Sequence, residues 1–433
     1  MWRHPGEWHR LVHVCLRWRS VVFISPNFLD LRLVCHPRTR LDLLDIWPPL
    51  PIVIRNVVHT PTAEDYDIDA AIVHRNRVCE IYYLYVSASQ LQRLASAMQD
   101  QFPALTHLKA VFNGVYSHNY PSLPTLPDGF LVGTAPRLQF LELRSIAFPT
   151  LPKLLLSVTD LVYLSLSRIP HSGYISPEAI ATGLAVLTKL KYLNIEFESL
   201  LSRPDQESRH IPPPTRTVLP ALTSFRFQGV SAYLEGLMAR IDAPLLDSIL
   251  ITFVHQRILD SPQLTQFMRR TARLQTLNEA YMYFDSSRIQ IKSSPSGGEP
   301  WLVISYKYYD WKLPSLAQVI TSTFHSFYKV EHLYICRSEY LSSYGIANLP
   351  WLEIFYPFTT VKNLYVCKEF AQCISLALQE LVGERRINVF PSLECLVLEE
   401  FWPSGPVQEG IGKLVAARQL LGNPLAVSHQ YAQ

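Results

Sequence analysis

Few residues in this chain are spaced for chemistry. The nearest approach to a phosphate-binding loop is "SGPVQEGIGKL", from Ser404 to Leu414. A GxxxxGK[ST] loop works because backbone N–H groups cradle the phosphates, the lysine neutralises them and the final hydroxyl holds a metal ion. Here Val407 stands where the first glycine belongs, and Leu414 where the hydroxyl belongs. No GxSxG elbow presents a serine nucleophile, and no HExxH pair offers zinc ligands. Fourteen histidines are scattered without ligand spacing, and His171 in "PHSGY" reads as a turn residue.

The cysteines point the same way. There are seven (Cys15, Cys35, Cys79, Cys336, Cys367, Cys373 and Cys395), an odd number with no CxxC pair. That argues against a disulfide framework or a structural zinc site. They read as reduced thiols packed as small apolar residues, in keeping with an intracellular compartment. Cys373 in "FAQCISLAL" lies in an apolar helical stretch, a poor setting for a low-pKa nucleophile. With no acid–base or nucleophile constellation assembled, the chain is expected to be non-catalytic and to need no cofactor or metal.

What remains is chemistry of recognition. A motif of the form L-x-x-L-x-L recurs, and its third position holds Phe140, Tyr163 and Tyr192 in three successive copies. Tyr334 and Tyr365 stand two positions later in theirs. Beside these lie Glu142, Arg144, Asn194, Glu196, Arg226 and Gln228. Aromatic and arginine side chains on a rigid surface are typical binding anchors. The plain alternative is a solvated sheet face whose aromatics suit a strand.

The elements that must position them follow from the repeat. Copies begin at Leu105, Leu138, Leu161, Leu190, Leu222, Leu246, Val330, Val361 and Leu393, with a weaker one at Val78. From 78 to 246 their mean spacing is 28 residues. That period belongs to leucine-rich repeats, in which a short strand is followed by a helix. In "LVYLSLS", Leu164 and Leu166 point to a shared core while Tyr163, Ser165 and Ser167 face the other way. One unit cannot bury its apolar face alone, so the units must stack.

Between the strands, "SPEAIATGLAVL" predicts a helix with Ser176 as N-cap, Pro177 in the first turn and Glu178 beside it. "SASQLQRLASAMQ", "AYLEGLMARI", "PQLTQFMRRTARL" and "FAQCISLALQELV" carry apolar residues at helical spacing. Pro103, Pro136, Pro220, Pro244 and Pro391 mark turns that return each helix to the sheet. Loops are expected at 116–127, 202–216 and 292–300. Between 246 and 330 the repeat blurs, and "AYMYFD", "SRIQIK" and "LVISYKYY" read as strands of an inserted hairpin. The fold expected is α/β: a leucine-rich-repeat solenoid with a curved parallel sheet inside and helices outside.

Composition sets the outer bounds. The chain has 433 residues, 48% apolar and 17% charged, ample for a large core. A net charge of +3 spread along the length gives no nucleic-acid or membrane surface. No stretch approaches the roughly 20 apolar residues of a membrane span, and "MWRHPGEWHR" is no signal peptide. A cytoplasmic or nuclear protein is expected.

At the N-terminus, Leu11, Val14, Cys15 and Trp18 fall at i, i+3, i+4 and i+7 on one helical stripe. The stripe either docks a partner or caps the open end of the solenoid, and Trp18→Ala would cost about 3–5 kcal/mol if the ring were buried. "LVHVCLRWRSVVFISPNFLDLRL" resembles the last helix of an F-box, with its V-C-x-x-W pattern and the S-P that leads into a first strand. "LDLLDIWPPLPIVIRN", "FPALTHLKAVF", "LPKLLLSVTDLVYLSL", "IPHSGYISPEAIATGLAVLTKLKYLNIEF" and "APLLDSILITF" resemble fungal F-box-like leucine-rich-repeat proteins, over nearly the whole chain.

The resemblance implies a partial F-box helix over 1–29 and an irregular repeat domain over 30–433. It implies a substrate receptor of a cullin–RING (SCF-type) ubiquitin ligase, with Leu11, Val14, Cys15 and Trp18 on the side of the ligase's adaptor protein. A target protein, not identified by sequence, would lie on the concave face at Phe140, Glu142, Arg144, Tyr163, Tyr192, Asn194, Arg226, Tyr334 and Tyr365. The alternative is a stand-alone repeat scaffold with no link to ubiquitin. In either case a monomer is expected outside the complex.

Overall fold

The computed structural model describes residues 14–24, 31–35, 50–57, 68–112, 124–198, 215–254, 262–271, 278–284, 288–294, 302–307, 329–337, 351–356, 358–379, 389–399 and 405–430. Over these residues the chain is α/β, and it divides into two compact units. The first comprises Met1–Pro204 with Leu219–Leu222, the second Asp205–Val218 with Thr223–Gln433. No composition break in the sequence foretells this division.

The first unit contains β1 (Leu33–Cys35), β2 (Ile52–Val57), β3 (Val78–Val86), β4 (His107–Phe112), β5 (Phe140–Arg144), β6 (Tyr163–Ile169) and β7 (Tyr192–Phe197). Each pairs in parallel with the next, in chain order. Parallel neighbours require a crossover. Among the described residues four of the crossovers carry helices: α2 (Ile68–Val73), α3 (Ala88–Ala97), α4 (Leu151–Leu155) and α5 (Pro177–Leu184), while α1 (Leu16–Ile24) precedes the sheet.

Local chemistry explains these boundaries. Ser87 and Gln90 form a reciprocal capping box at α3, and the Ser176 hydroxyl accepts from the Ala179 N–H at α5, with Pro177 in its first turn. Four-residue turns close on the first residue of each repeat: the Leu105 N–H donates to the Phe102 carbonyl, and Leu138 to Ala135. Pro103 and Pro136 occupy the second turn position, which their fixed φ suits. His171 lies in a single 3-10 turn, His171–Gly173.

The repeat sets both register and core. In successive repeats the second-position N–H bonds the second-position carbonyl of the repeat before: Gln139 to Thr106, Val162 to Gln139 and Lys191 to Val162, each at 2.8 Å. Leu105, Leu138, Leu161 and Leu190 are fully buried, as are Leu108, Leu141, Leu164 and Leu193 at the fourth position. Burying each contributes about 1.5–3 kcal/mol. Helix residues Leu94, Leu154, Leu155, Ile180 and Leu184 complete this core. Alternate strand residues therefore face the helices, and the intervening ones face away.

The second unit contains β8 (Thr217–Val218), β9 (Ser224–Gly229), α6 (Ser231–Met238), β10 (Ile241–Asp242), β11 (Ser248–Val254), α7 (Pro262–Arg270), β12 (Glu279–Phe284), β13 (Arg288–Ser294), β14 (Leu302–Lys307) and β15 (His332–Arg337). It continues with α8 (Trp351–Phe355), β16 (Asn363–Cys367), α9 (Ala371–Gln379), β17 (Cys395–Glu399), α10 (Pro406–Leu420) and β18 (Ala426–Gln430). Its main sheet runs β9-β11-β14-β13-β12-β15-β16-β17-β18, and β8 pairs separately with β10.

All pairings in this sheet are parallel except β13 with β12 and with β14. The three strands β12–β14 thus form an antiparallel meander inserted between β11 and β15, where the sequence repeat blurs. Strand β13 runs on to Ser294, so residues 292–294 of the expected loop are strand. The stretch that failed as a phosphate loop is helix α10, with Lys413 paired to Glu409 one turn away. Of the expected loops, 116–123, 202–214 and 295–300 lie outside the described residues.

Candidate protein-binding face

On the face turned away from the helices, the first unit's residues form transverse rows fixed by strand register. One row runs from Glu80 through His107, Phe140 and Tyr163 to Tyr192. Its rings stack: His107 on Phe140 at 5.6 Å between centroids, Phe140 on Tyr163 at 4.2 Å, and Tyr163 on Tyr192 at 4.3 Å. Parallel in-register strands place like side chains one strand spacing apart, which suits flat rings set face to face.

The row's first members are polar and locked. Glu80 is buried and paired with Arg32, and His107 Nδ1 lies 3.9 Å from its carboxylate. The Thr106 hydroxyl donates to the Cys79 carbonyl, so at 2.9 Å from His107 Nδ1 it accepts, which puts the imidazole proton on Nδ1. Burial, then the Glu80 charge, raises the Tyr82 phenol above its usual range.

The second row runs Tyr82, Lys109, Glu142, Ser165 and Asn194. Lys109 and Glu142 pair at 2.9 Å. Asn194, only 4% exposed, donates from Nδ2 to the Ser165 hydroxyl and to Glu196 Oε1, each at 3.1 Å. Among the described residues its Oδ1 has no donor. Beyond lies a third row with Arg144 and its register partner Ser167. Arg144 is exposed, and among the described residues its side chain has no ion-pair or hydrogen-bond partner.

The second unit carries its own ladder. Tyr281, Tyr334 and Tyr365 are register partners, with rings 4.3 and 4.0 Å apart. The Tyr281 hydroxyl donates to Glu279 Oε2 at 3.0 Å, and burial with this bond pushes its pKa up to about 12. Burial, then the bond with Tyr365, drives Tyr334 higher still. Lys292, the register partner of Tyr281, reaches over the Tyr283 ring of the next row at 4.6 Å. Cys336 and Cys367 are pushed up to about 12, mainly by burial, so both are protonated thiols at neutral pH.

The structure therefore brings Phe140, Glu142, Arg144, Tyr163, Tyr192 and Asn194 together on one face, and Tyr334 with Tyr365 on another. Arg226 does not join the latter. It sits on β9, and β11, β14 and β13 stand between it and β12, which puts it roughly 19 Å away. The inserted meander causes that separation.

Sequence reading missed Glu80, His107, Lys109 and Tyr281. His107 holds the same third position as Phe140, and Glu80 holds it in the weak copy at Val78, so extending that column upstream finds both. Tyr281 belongs to a copy, "LNEAYM", in which Ala280 and Met282 replace the expected leucines. The copies at Val78 and Leu277 share a Glu-x-Tyr pair, and in each unit the following strand places a histidine beside the glutamate: His107 by Glu80 and His332 by Glu279.

The structure describes three of the four residues of the N-terminal stripe. Val14, Cys15 and Trp18 are exposed, Val14 at 63% and Trp18 at 50%, whereas Val22 one turn further on is buried. The described part of the helix is thus buried at Val22, toward its C-terminal end. Leu11 lies outside the described residues. Leu16, Val21 and Ile24 are exposed as well.

No protein-family model matches the chain, and no curated protein matches it. Among the described residues no helix is long and apolar enough to cross a membrane, and no group of three or more His, Cys, Asp or Glu is placed to hold a metal ion.

Proposed function

We propose that this chain is a non-catalytic substrate receptor of a cullin–RING ubiquitin ligase, built as a leucine-rich-repeat solenoid. In this reading the apolar side chains of α1 meet the ligase's adaptor protein, and the ringed face of the strands holds the target. The observation that carries it is the pairing, within one unit, of an exposed apolar helix stripe and a rigid aromatic face. Exposed apolar clusters of this kind mark interaction surfaces. The likeness of "VCLRWR" and the segments after it to F-box-like repeat proteins supports the ligase as the partner.

Purified adaptor tests the assignment with the full chain and two variants. Trp18→Glu should abolish adaptor binding, and Tyr163→Glu should leave it intact. Wild-type chain that ignores the adaptor removes the ligase role.

A second reading, a stand-alone protein-binding scaffold, is favoured by a specific observation. Both ring ladders are built by strand residues alone and use nothing from α1. It predicts partner binding that depends on Tyr163 and is indifferent to Trp18.

A further inference from the structure

We propose that Cys336 and Cys367, in the second unit, form a two-thiolate site for a soft monovalent metal ion, copper(I) by its chemistry. The site goes beyond protein binding and involves neither α1 nor the first unit's rings.

Sheet register makes the pair. The two cysteines stand 31 positions apart in the chain, so no CxxC spacing signals them. Strands β15 and β16 run in register from His332 with Asn363 to Ile335 with Val366, which makes the next residues, Cys336 and Cys367, neighbours. Each follows its ladder tyrosine by two positions, so both face the same way as Tyr334 and Tyr365. Both are half-buried free thiols, and Cys336 acts electrostatically on Cys367. One strand spacing, roughly 4.8 Å, separates their backbones. A zinc–thiolate bond is about 2.3 Å, and two bonds of that length in line span roughly 4.6 Å. Rotation of the two side chains takes up the small difference.

Ligand number chooses the ion. Thiolates select soft ions such as copper(I) and zinc. Zinc takes four protein ligands, or three and a water. Among the described residues no group of three or more His, Cys, Asp or Glu is placed to hold a metal ion. Copper(I) is satisfied by two thiolates in line.

The local field suits a cation. In their row the pair stands between Tyr283, the register partner of Cys336, and Glu399, the register partner of Cys367. The Glu399 charge acts on Cys336, and Glu369 acts on Cys367 through a hydrogen bond and its charge. Lys292 opposes Glu399 at Cys336. Carboxylates that hold a thiol protonated also attract a metal cation, and a coordinated thiol gives up its proton outright. Binding breaks two S–H bonds, forms two S–Cu bonds and releases two protons to solvent. Copper stays monovalent throughout, so the step needs no oxidant or reductant.

Anaerobic titration of the reduced full chain with copper(I), in competition with a chromophoric copper(I) chelator, tests this. One equivalent per chain is expected to leave the chelator, with an affinity that rises with pH because protons are displaced. Cys336→Ser and Cys367→Ser should each weaken binding about a hundredfold or more, at or beyond the loss of an outer-shell partner. Cys373→Ser, which removes a half-buried thiol on α9, should leave it unchanged. Zinc(II) in the same titration should bind far more weakly. Thermal unfolding checks that each variant folds, and Cys336→Ala or Cys367→Ala replaces a serine variant that does not. No transfer of copper, full binding by a variant lacking either Cys336 or Cys367, an equal loss in Cys373→Ser, or zinc held as tightly as copper overturns the proposal.

Discussion

Tyr163 and Tyr192 stand 29 positions apart in the chain, yet their rings lie 4.3 Å apart and 1° from parallel. That spacing is one repeat in sequence and one strand in the sheet. The pair shows how the repeat period becomes surface chemistry. Leucines at fixed positions lock each strand in register, and register alone aligns whatever faces outward. A double-mutant cycle at these two positions should give a coupling of about 0.5–1.5 kcal/mol in denaturant unfolding. Additive losses would mean that the rings do not support one another.

Leu164, next to Tyr163 on the same strand, points the opposite way and is fully buried. Leu164→Ala should therefore cost about 2–5 kcal/mol, and Tyr163→Ala clearly less. Urea unfolding of the two variants checks the ranking, and a reversed order would place the core on the wrong face of the sheet.

Gly173 marks a close approach between segments. A Cβ there would meet the Ala147 Cα at 2.8 Å, and that neighbour is backbone, which cannot swing aside. Gly173→Ala should destabilise the first unit by about 1–3 kcal/mol, read from the shift in its unfolding midpoint.

Trp18 is half exposed, so Trp18→Ala should cost about 1 kcal/mol or less, well short of the loss expected for a buried ring. Val22, one turn on, is buried, and Val22→Ala should cost more. Equal, large losses would show that α1 packs along its whole length.

Tyr281 supplies a pH test. Its pKa is raised from the usual 10.0 to about 12 by burial and the bond to Glu279, so the folded state holds its proton more tightly than the unfolded chain does. The associated stability is complete below pH 10 and declines as pH rises through 12. Phenolate absorbance should show a late-ionising class that shrinks in Tyr281→Phe. An unchanged titration would contradict the bond to Glu279.

Much of this arrangement was legible in the sequence because the core is periodic. The motif leucines, the Ser176 cap and the prolines at the turns each act through local physics, and each appears where its chemistry requires. The ring column at Phe140, Tyr163 and Tyr192 was legible for the same reason. The first members of that row were not, because Glu80 and His107 belong with the rings only through register. The meander was legible as strands but not in its pairing. A parallel sheet that accepts two antiparallel neighbours is decided by non-local bonds between β11 and β14 and between β12 and β15. The openness of the Trp18 stripe was equally hidden, since helical periodicity records which side chains share a face and not what covers it.

The receptor proposed above would join the ligase through α1. Size-exclusion chromatography with light scattering, on the full chain mixed with purified adaptor, tests it most directly. A single peak with the mass of a one-to-one complex, lost in Trp18→Glu, is the expected result. Two peaks at the masses of the separate proteins would contradict it.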